Sequence, residues 1–155
     1  RDTDFQEVNI NFLMLETLTL LDHSLKHAGI EIKLDLDKGL PTTLGNGGRL
    51  QQVFMNLFLN ARDAMPKGGK IGILSAFRDS HLIIEIRDSG AGISEDTIKQ
   101  IYDPFFTTKA IGKGSGLGLS VSYGIIQEHS GRIMVESREG YGSTFTIQLP
   151  LKRLH

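Results

Sequence analysis

Two asparagines four residues apart, Asn56 and Asn60, are the first residues in this 155-residue chain whose type and spacing could do chemistry. Residues at i and i+4 share one face of a helix, and Gln52 and Asp63 extend that face by about a turn on either side. Val53, Leu57 and Ala61 fall on another face, so such a helix would keep an apolar back in a core and project two carboxamides. Amide oxygens are hard, neutral ligands suited to magnesium, which often keeps water and borrows its remaining ligands from phosphate. The same spacing also describes an ordinary solvated helix face.

Two further clusters could meet a ligand. Asp88-Ser89-Gly90-Ala91-Gly92 follows a strand pattern that ends at Arg87. An aspartate there can accept a hydrogen bond while glycines let the backbone pass close beside a ligand, although Asp-Ser-Gly is also plain turn chemistry. Gly112-Lys113-Gly114-Ser115-Gly116-Leu117-Gly118-Leu119 runs into a helical pattern, with Lys109 just before it. Backbone N–H groups at a helix start bind phosphate. No Lys-Ser or Lys-Thr follows these glycines and no strand leads directly into them, so this is neither a Walker-type phosphate loop nor a dinucleotide fingerprint. A lid with no ligand fits the same run. The five histidines, His23, His27, His81, His129 and His155, read as ordinary surface or core residues.

The elements that must position these groups follow from periodicity. Ile10, Met14, Leu18, Leu21, Leu25 and Ala28 predict a helix over 10–28, ended by Gly29. Alternation over 30–37 predicts a strand with one wet face, followed by a loop through Gly45-Asn46-Gly47-Gly48. A second helix carries Leu50 to Ala64, and Pro66 and Gly68-Gly69 close it. Strands are expected over 70–77 and 81–87, a short helix over 94–101, a functional loop over 103–115 and a helix over 116–129. A hairpin over 132–137 and 143–149 closes the chain, with Phe145, Ile147 and Leu149 on its buried face. This is α+β: a two-layer α/β sandwich, a mixed and mainly antiparallel sheet with helices on one face.

The composition is that of one compact soluble domain spanning 1–155. A net charge of −1 gives no electrostatic case for nucleic acid or for an anionic membrane. Without cysteine there are no disulfides, thiolate metal sites or cysteine nucleophiles, which fits a reducing cytoplasm. No apolar run approaches the roughly 20 residues needed to span a bilayer, so no membrane insertion is expected. The start, Arg1-Asp2-Thr3-Asp4, reads as a cut in a longer protein, with 1–9 as the end of a linker.

Taken in order, the segments resemble the catalytic domain of sensor histidine kinases, within the gyrase–chaperone–kinase–MutL ATPase superfamily and its Bergerat-type ATP-binding fold. Asn56-Leu57-Phe58-Leu59-Asn60-Ala61 resembles the N-box, and Asp88-Ser89-Gly90-Ala91-Gly92-Ile93 the first glycine box. Asp103-Pro104-Phe105-Phe106-Thr107-Thr108-Lys109 resembles the F-box. Gly114-Ser115-Gly116-Leu117-Gly118-Leu119 and Gly140-Tyr141-Gly142-Ser143-Thr144-Phe145 resemble the two later glycine boxes. The run from Asn60 to Pro66, with Phe105-Phe106-Thr107-Thr108-Lys109, is similar to the nitrogen-regulation subgroup. Two departures stand out. Asn46 sits where many relatives carry aspartate, read here as a changed helix cap, and Asp63 and Ala64 replace a lysine and a tyrosine of other subgroups.

The resemblance implies ATP and magnesium as ligands, and roles for named residues. Asp88 would accept from the adenine amino group, with Thr144 sharing a water beside it. Asn56 and Asn60 would hold the metal, with Asn60 also near the phosphates. Lys109, Ser115 and the amides of Gly116, Leu117 and Gly118 would hold the phosphates, and Arg62 is a further candidate. Gly90, Gly92, Ile93, Phe106 and Thr107 would line the pocket, with Phe105 and Phe106 anchoring a lid whose 110–115 segment orders on nucleotide. The catalytic set is Asn56, Asn60 and Lys109. The phosphate acceptor would be a histidine on a separate dimerisation domain, and a response regulator receiver domain the next partner. Hydrolysing members of the superfamily carry a glutamate base where this chain has Asn56, and asparagine cannot take a proton from water. That favours a kinase over an ATPase, with a nucleotide-sensing module as the other alternative.

Overall fold

The computed structural model describes residues 5–90 and 116–153. The short helix expected at 94–101 and the loop expected at 103–115 lie outside the described residues. The sheet order is β2-β4-β5-β7-β6, built from Ile30–Asp35, Gly69–Arg78, His81–Asp88, Gly142–Pro150 and Arg132–Arg138. The β2–β4 pair is parallel, with a helical crossover between its strands, and the other three pairs are antiparallel. The α+β class and the mixed sheet expected from the sequence are what the chain forms.

Helix α3 (Gly47–Asp63) is the spine of the second layer. Asn46 caps it, its side-chain oxygen accepting from the Arg49 N–H at 3.1 Å. Leu50, Val53, Phe54, Leu57, Phe58 and Ala61 are all buried. They share one core with Ile71 and Ile73 of β4, Leu82, Ile84 and Ile86 of β5, and Phe145, Ile147 and Leu149 of β7. The β4–β5 turn has positive φ at both Asp79 (52°) and Ser80 (62°). That is the pair of left-handed residues a two-residue hairpin needs to match strand twist, and it fixes the register that carries Asp88 to the end of β5.

Two expectations differ from the structure. The single helix expected over 10–28 is two helices, α1 (Ile10–Leu20) and α2 (Asp22–His27). The Thr17 and Thr19 hydroxyls donate back to the carbonyls of Leu13 and Leu15 at 2.7 and 3.0 Å, a competition with the helix ladder that bends helices. The segment Thr43–Gly45, expected as loop, is a strand (β3) pairing antiparallel with Gln6–Val8 (β1). Three residues with no alternating run left nothing for periodicity to detect. None of the described helices is long and apolar enough to cross a membrane.

Helix α4 (Gly116–Glu128) packs against α3, and its C-terminal end is tied to the α3 cap. His129 is 3% exposed. Its Nδ1 lies 2.8 Å from the Ile125 carbonyl, which can only accept, and its Nε2 receives the Asn46 N–H at 3.0 Å. Both contacts require the neutral ring protonated at Nδ1. Burial pushes its pKa down, outweighing the Ile125 bond; Lys152 and Arg49 nearby also lower it, and Glu128 opposes. The folded state therefore resists a proton that the unfolded chain accepts near pH 6.5, so stability should fall as pH drops through that range, by up to about 1.4 kcal/mol per pH unit. Urea midpoints at pH 7.5 and 5.5 test this. The fall should be shallower for His129→Gln than for the parent chain, and equal slopes would remove His129 as the cause.

Candidate functional site

Of the residues singled out in the sequence, Asp88 stands at the end of β5 beside the C-terminus of α3, and Asn56 on α3 meets α4. Asp88, the last residue of β5, is 6% exposed and lies on the face turned towards the helices, in line with Leu82, Ile84 and Ile86. Burial pushes its carboxyl above the ordinary aspartate range. Two backbone N–H groups oppose that shift, Gly90 donating to Oδ1 at 2.8 Å and Ser143 from across the sheet. Asp88 is thus a desolvated acceptor held by main chain, with no cation paired to it among the described residues. Gly90 is required by close packing, because a Cβ there would lie 2.6 Å from the Ala64 carbonyl oxygen and 2.9 Å from Asp88 Oδ1. The strand end and the C-terminus of α3 are therefore in contact. Gly142 has φ of 110°, where side chains are strained, and a Cβ there would collide with the Asp88 carbonyl oxygen.

Thr144, expected beside Asp88, is not there. It pairs with Arg87, whose Nε donates to its hydroxyl at 3.2 Å on the outer face of the sheet. The residue opposite Asp88 is Ser143, 5% exposed, with its hydroxyl 2.9 Å from that of Ser137 on β6. The reason is strand periodicity: Phe145, Ile147 and Leu149 face the core, so Ser143 joins them and Thr144 cannot. That signal was present in the sequence. A cavity of about 620 Å³ also opens on the outer face, between Lys33, Lys70, Arg87 and Glu136. Asp88 and Ser143 at the strand ends also line it.

Asn56 and Asn60 project from the half-buried side of α3, as their spacing predicts. The Asn56 carboxamide nitrogen donates to the Gly118 carbonyl at 3.3 Å and to the Ser122 hydroxyl at 3.2 Å, both on α4. A carbonyl only accepts, so the amide must present its NH₂ to α4 and turn its oxygen away. That oxygen has no hydrogen-bond partner among the described residues, and neither has the Asn60 side chain. No cluster of three or more His, Cys, Asp or Glu residues suited to a metal occurs among the described residues; carboxamide oxygens are themselves hard donors. Arg62 is committed elsewhere: it donates to Asp63 at 2.8 Å and to the Ser24 hydroxyl at 2.7 Å, bridging α3 to α2. Gly116, Leu117 and Gly118 form the first turn of α4, where N–H groups lack intrahelical partners. Gly92, Ile93, Phe105, Phe106, Thr107, Lys109, Ser115 and the 110–115 segment lie outside the described residues. Sequence reasoning missed Ser122, because a serine inside an apolar helical run carries no signal of its partner.

Residues 45–153 match the profile of the histidine kinase-, DNA gyrase B-, and HSP90-like ATPase family. This chain belongs to that family. Within it the chain is a histidine kinase catalytic domain, as three similar proteins attest. The catalytic domain of the histidine kinase ThkA superposes with a TM-score of 0.86 at 34% identity, covering 97% of this chain and 99% of that one. The complex of ThkA with the response regulator protein TrrA aligns with a TM-score of 0.81 at 32% identity, over 96% of this chain and 42% of that one. Signal transduction histidine-protein kinase AtoS of Escherichia coli is 41% identical over 152 residues, 97% of this chain and 25% of AtoS. Sporulation kinase E of Bacillus subtilis is 40% identical over 150 residues, 96% of this chain and 20% of that kinase. The kinase domain thus spans a quarter or less of these curated relatives.

Proposed function

We propose that this kinase domain binds magnesium-ATP between α3, the ends of β5 and β7 and the start of α4. From there the γ-phosphoryl group passes to a histidine on a dimerisation domain of the same protein, in the cytoplasm. A response regulator receiver domain then takes it up. The observation that carries this reading is the Asn56 carboxamide, whose nitrogen donates to the Gly118 carbonyl and the Ser122 hydroxyl on α4 and whose oxygen has no hydrogen-bond partner among the described residues. Asn60, one turn on, adds a second carboxamide near the phosphates, with no hydrogen-bond partner among the described residues. Magnesium held by these carboxamides would supply charge neutralisation to the phosphates.

The chain's own residues supply positioning. Asp88 accepts from the adenine amino group, and Ser143, rather than Thr144, stands beside it to share a water. Gly90 keeps the backbone clear of the base, and the motif resemblance assigns Gly92 and Ile93 to the same pocket. The N–H groups of Gly116, Leu117 and Gly118 face the phosphates from the helix start. On the motif resemblance, Lys109 and Ser115 add a charge and a hydroxyl there, and Phe106 and Thr107 carry the lid. The same motifs favour the nitrogen-regulation subgroup. With Asn56 in place of a carboxylate, no group is assigned to deprotonate water, so transfer to histidine prevails over hydrolysis.

Radiolabelled ATP tests the assignment. The chain alone should bind ATP, release phosphate very slowly and stay unlabelled. Adding the helical hairpin that carries the acceptor histidine, in cis or as a separate dimer, should label that histidine. Brisk phosphate release by the chain alone would point to an ATPase. Tight binding with no transfer to the native hairpin would point to a nucleotide sensor.

A further inference from the structure

Two ionisable side chains are buried among the described residues, Asp88 and His129, and the nucleotide site uses only the first. The His129 ring is covered by Phe5, whose ring stacks on it with 4.6 Å between centroids and 17° between planes. Phe5 leads directly into β1, which pairs antiparallel with β3 over three residues. Gly45, the last residue of β3, lies against the edge of the same ring: a Cβ there would stand 3.2 Å from His129 Cδ2 and 3.3 Å from Nε2. The first strand of the chain thus caps a buried histidine with an aromatic side chain, and its partner strand closes one edge.

We infer that Phe5 and His129 form a proton-operated latch: β1 stays docked on β3 while the His129 ring is neutral, and it is released when the ring takes up a proton. The neutral ring is fully bonded, its Nε2 accepting from the Asn46 N–H at 3.0 Å and its Nδ1 donating to the Ile125 carbonyl at 2.8 Å. A proton added at Nε2 sets N–H against N–H, so the ring must leave Asn46. It must also reach water, because a buried charge without a partner is costly. Gly45 blocks the edge at Nε2, and Phe5 covers the face, so the ring gains water when Phe5 lifts, and Phe5 moves with β1. A three-residue strand is a weak hold, the kind of element that opens well below the cost of unfolding.

The surrounding charges do not compensate a proton on the ring. Glu128 of α4 is paired with Arg49 of α3 at 2.8 Å. Glu7 of β1 accepts from the Thr42 hydroxyl at 2.9 Å. Lys152, beyond β7, holds its ammonium 5.8 Å from the Phe5 ring centre and donates to the Ser130 hydroxyl at 3.0 Å. Burial keeps the docked ring below the ordinary histidine range, with Lys152 and Arg49 adding to that and Ile125 and Glu128 opposing it. The released ring regains a pKa near 6.5, so the released state binds the proton that the docked state refuses. Release therefore gains as pH falls below about 6.5 and gains nothing above it.

Hydrogen exchange followed by NMR on the 155-residue chain tests the latch. The parent, His129→Gln and Phe5→Ala would be compared at pH 7.5 and 5.5, with rates corrected for the intrinsic pH dependence of amide exchange. In the parent, the β1 amides should be less protected than those of β5 at both pH values, and their protection should fall up to about tenfold between pH 7.5 and 5.5. Glutamine keeps both bonds, its oxygen accepting from Asn46 and its NH₂ donating to Ile125, and it does not titrate. In His129→Gln the β1 protection should therefore be the same at the two pH values. Phe5→Ala removes the cover, so the His129 titration midpoint, read from its ring signals, should rise towards about 6.5. β1 amides as protected as those of β5 would mean that the strand opens only with the whole fold, and would overturn the latch. So would equal pH dependence in the parent and His129→Gln, or an unmoved His129 midpoint in Phe5→Ala.

Discussion

Asn56→Ala should abolish labelling of a supplied acceptor histidine, lowering the rate by at least about 100-fold, since even residues that only orient a metal ligand typically cost 10–100-fold. Phosphoryl transfer is almost wholly positioning and charge neutralisation, so losing a cation ligand strikes the step itself. Adenosine, which has no phosphates, should bind the variant as well as the parent. Asn56→Asp makes a sharper comparison. A carboxylate can still bind the cation, but its second oxygen would face the Gly118 carbonyl, where the parent amide donates at 3.3 Å. Asn56→Asp should therefore recover only part of the activity. The check is single-turnover transfer from radiolabelled ATP, beside calorimetry with adenosine. Full activity in Asn56→Ala would sink the metal assignment, and equal loss of adenosine would show that the helix interface had been damaged instead.

Asp88→Asn should weaken every adenine nucleotide by about 10- to 100-fold, the range for losing a hydrogen bond to a charged group. It should also relax the preference for ATP over GTP. The carboxylate is surrounded by donors, Gly90 N–H at 2.8 Å and Ser143 N–H. A carboxamide in its place must turn its NH₂ either towards those N–H groups or towards the ligand's amino group, and both contacts are repulsive. Guanine presents an oxygen at the corresponding ring edge, which an NH₂ can meet, so discrimination falls from both sides. Calorimetry with ADP and GDP reads this. Unchanged adenine affinity with unchanged preference would remove Asp88 from the adenine site. Thermal melts of the variant separate lost binding from lost fold.

The sequence by itself determined much of this protein. The i, i+4 asparagines, the strand-ending aspartate and the ordered glycine boxes are local patterns, and local geometry obeys the same periods wherever the chain folds. The apolar face of 50–61 had to be buried, and with it a flanking face of α3 had to carry Asn56 and Asn60 together. The alternation ending at Arg87 fixed where Asp88 stands. Even the Thr144 error was legible, because the alternation that buries Phe145, Ile147 and Leu149 puts Ser143 on the inner face; motif order outweighed that period.

Tertiary structure alone decided which atoms meet. No pattern in the chain says that Asn56 meets Gly118 and Ser122, 62 and 66 residues away, or that His129 closes on Asn46, 83 residues away. Nor does it show that Arg62, a phosphate candidate by position, is spent on Asp63 and Ser24. Such contacts depend on how helices pack, and packing is set by the summed shape of a core rather than by any window of sequence. A carboxamide's two ends look alike in a sequence, and only the helix packed against Asn56 turns its oxygen outward.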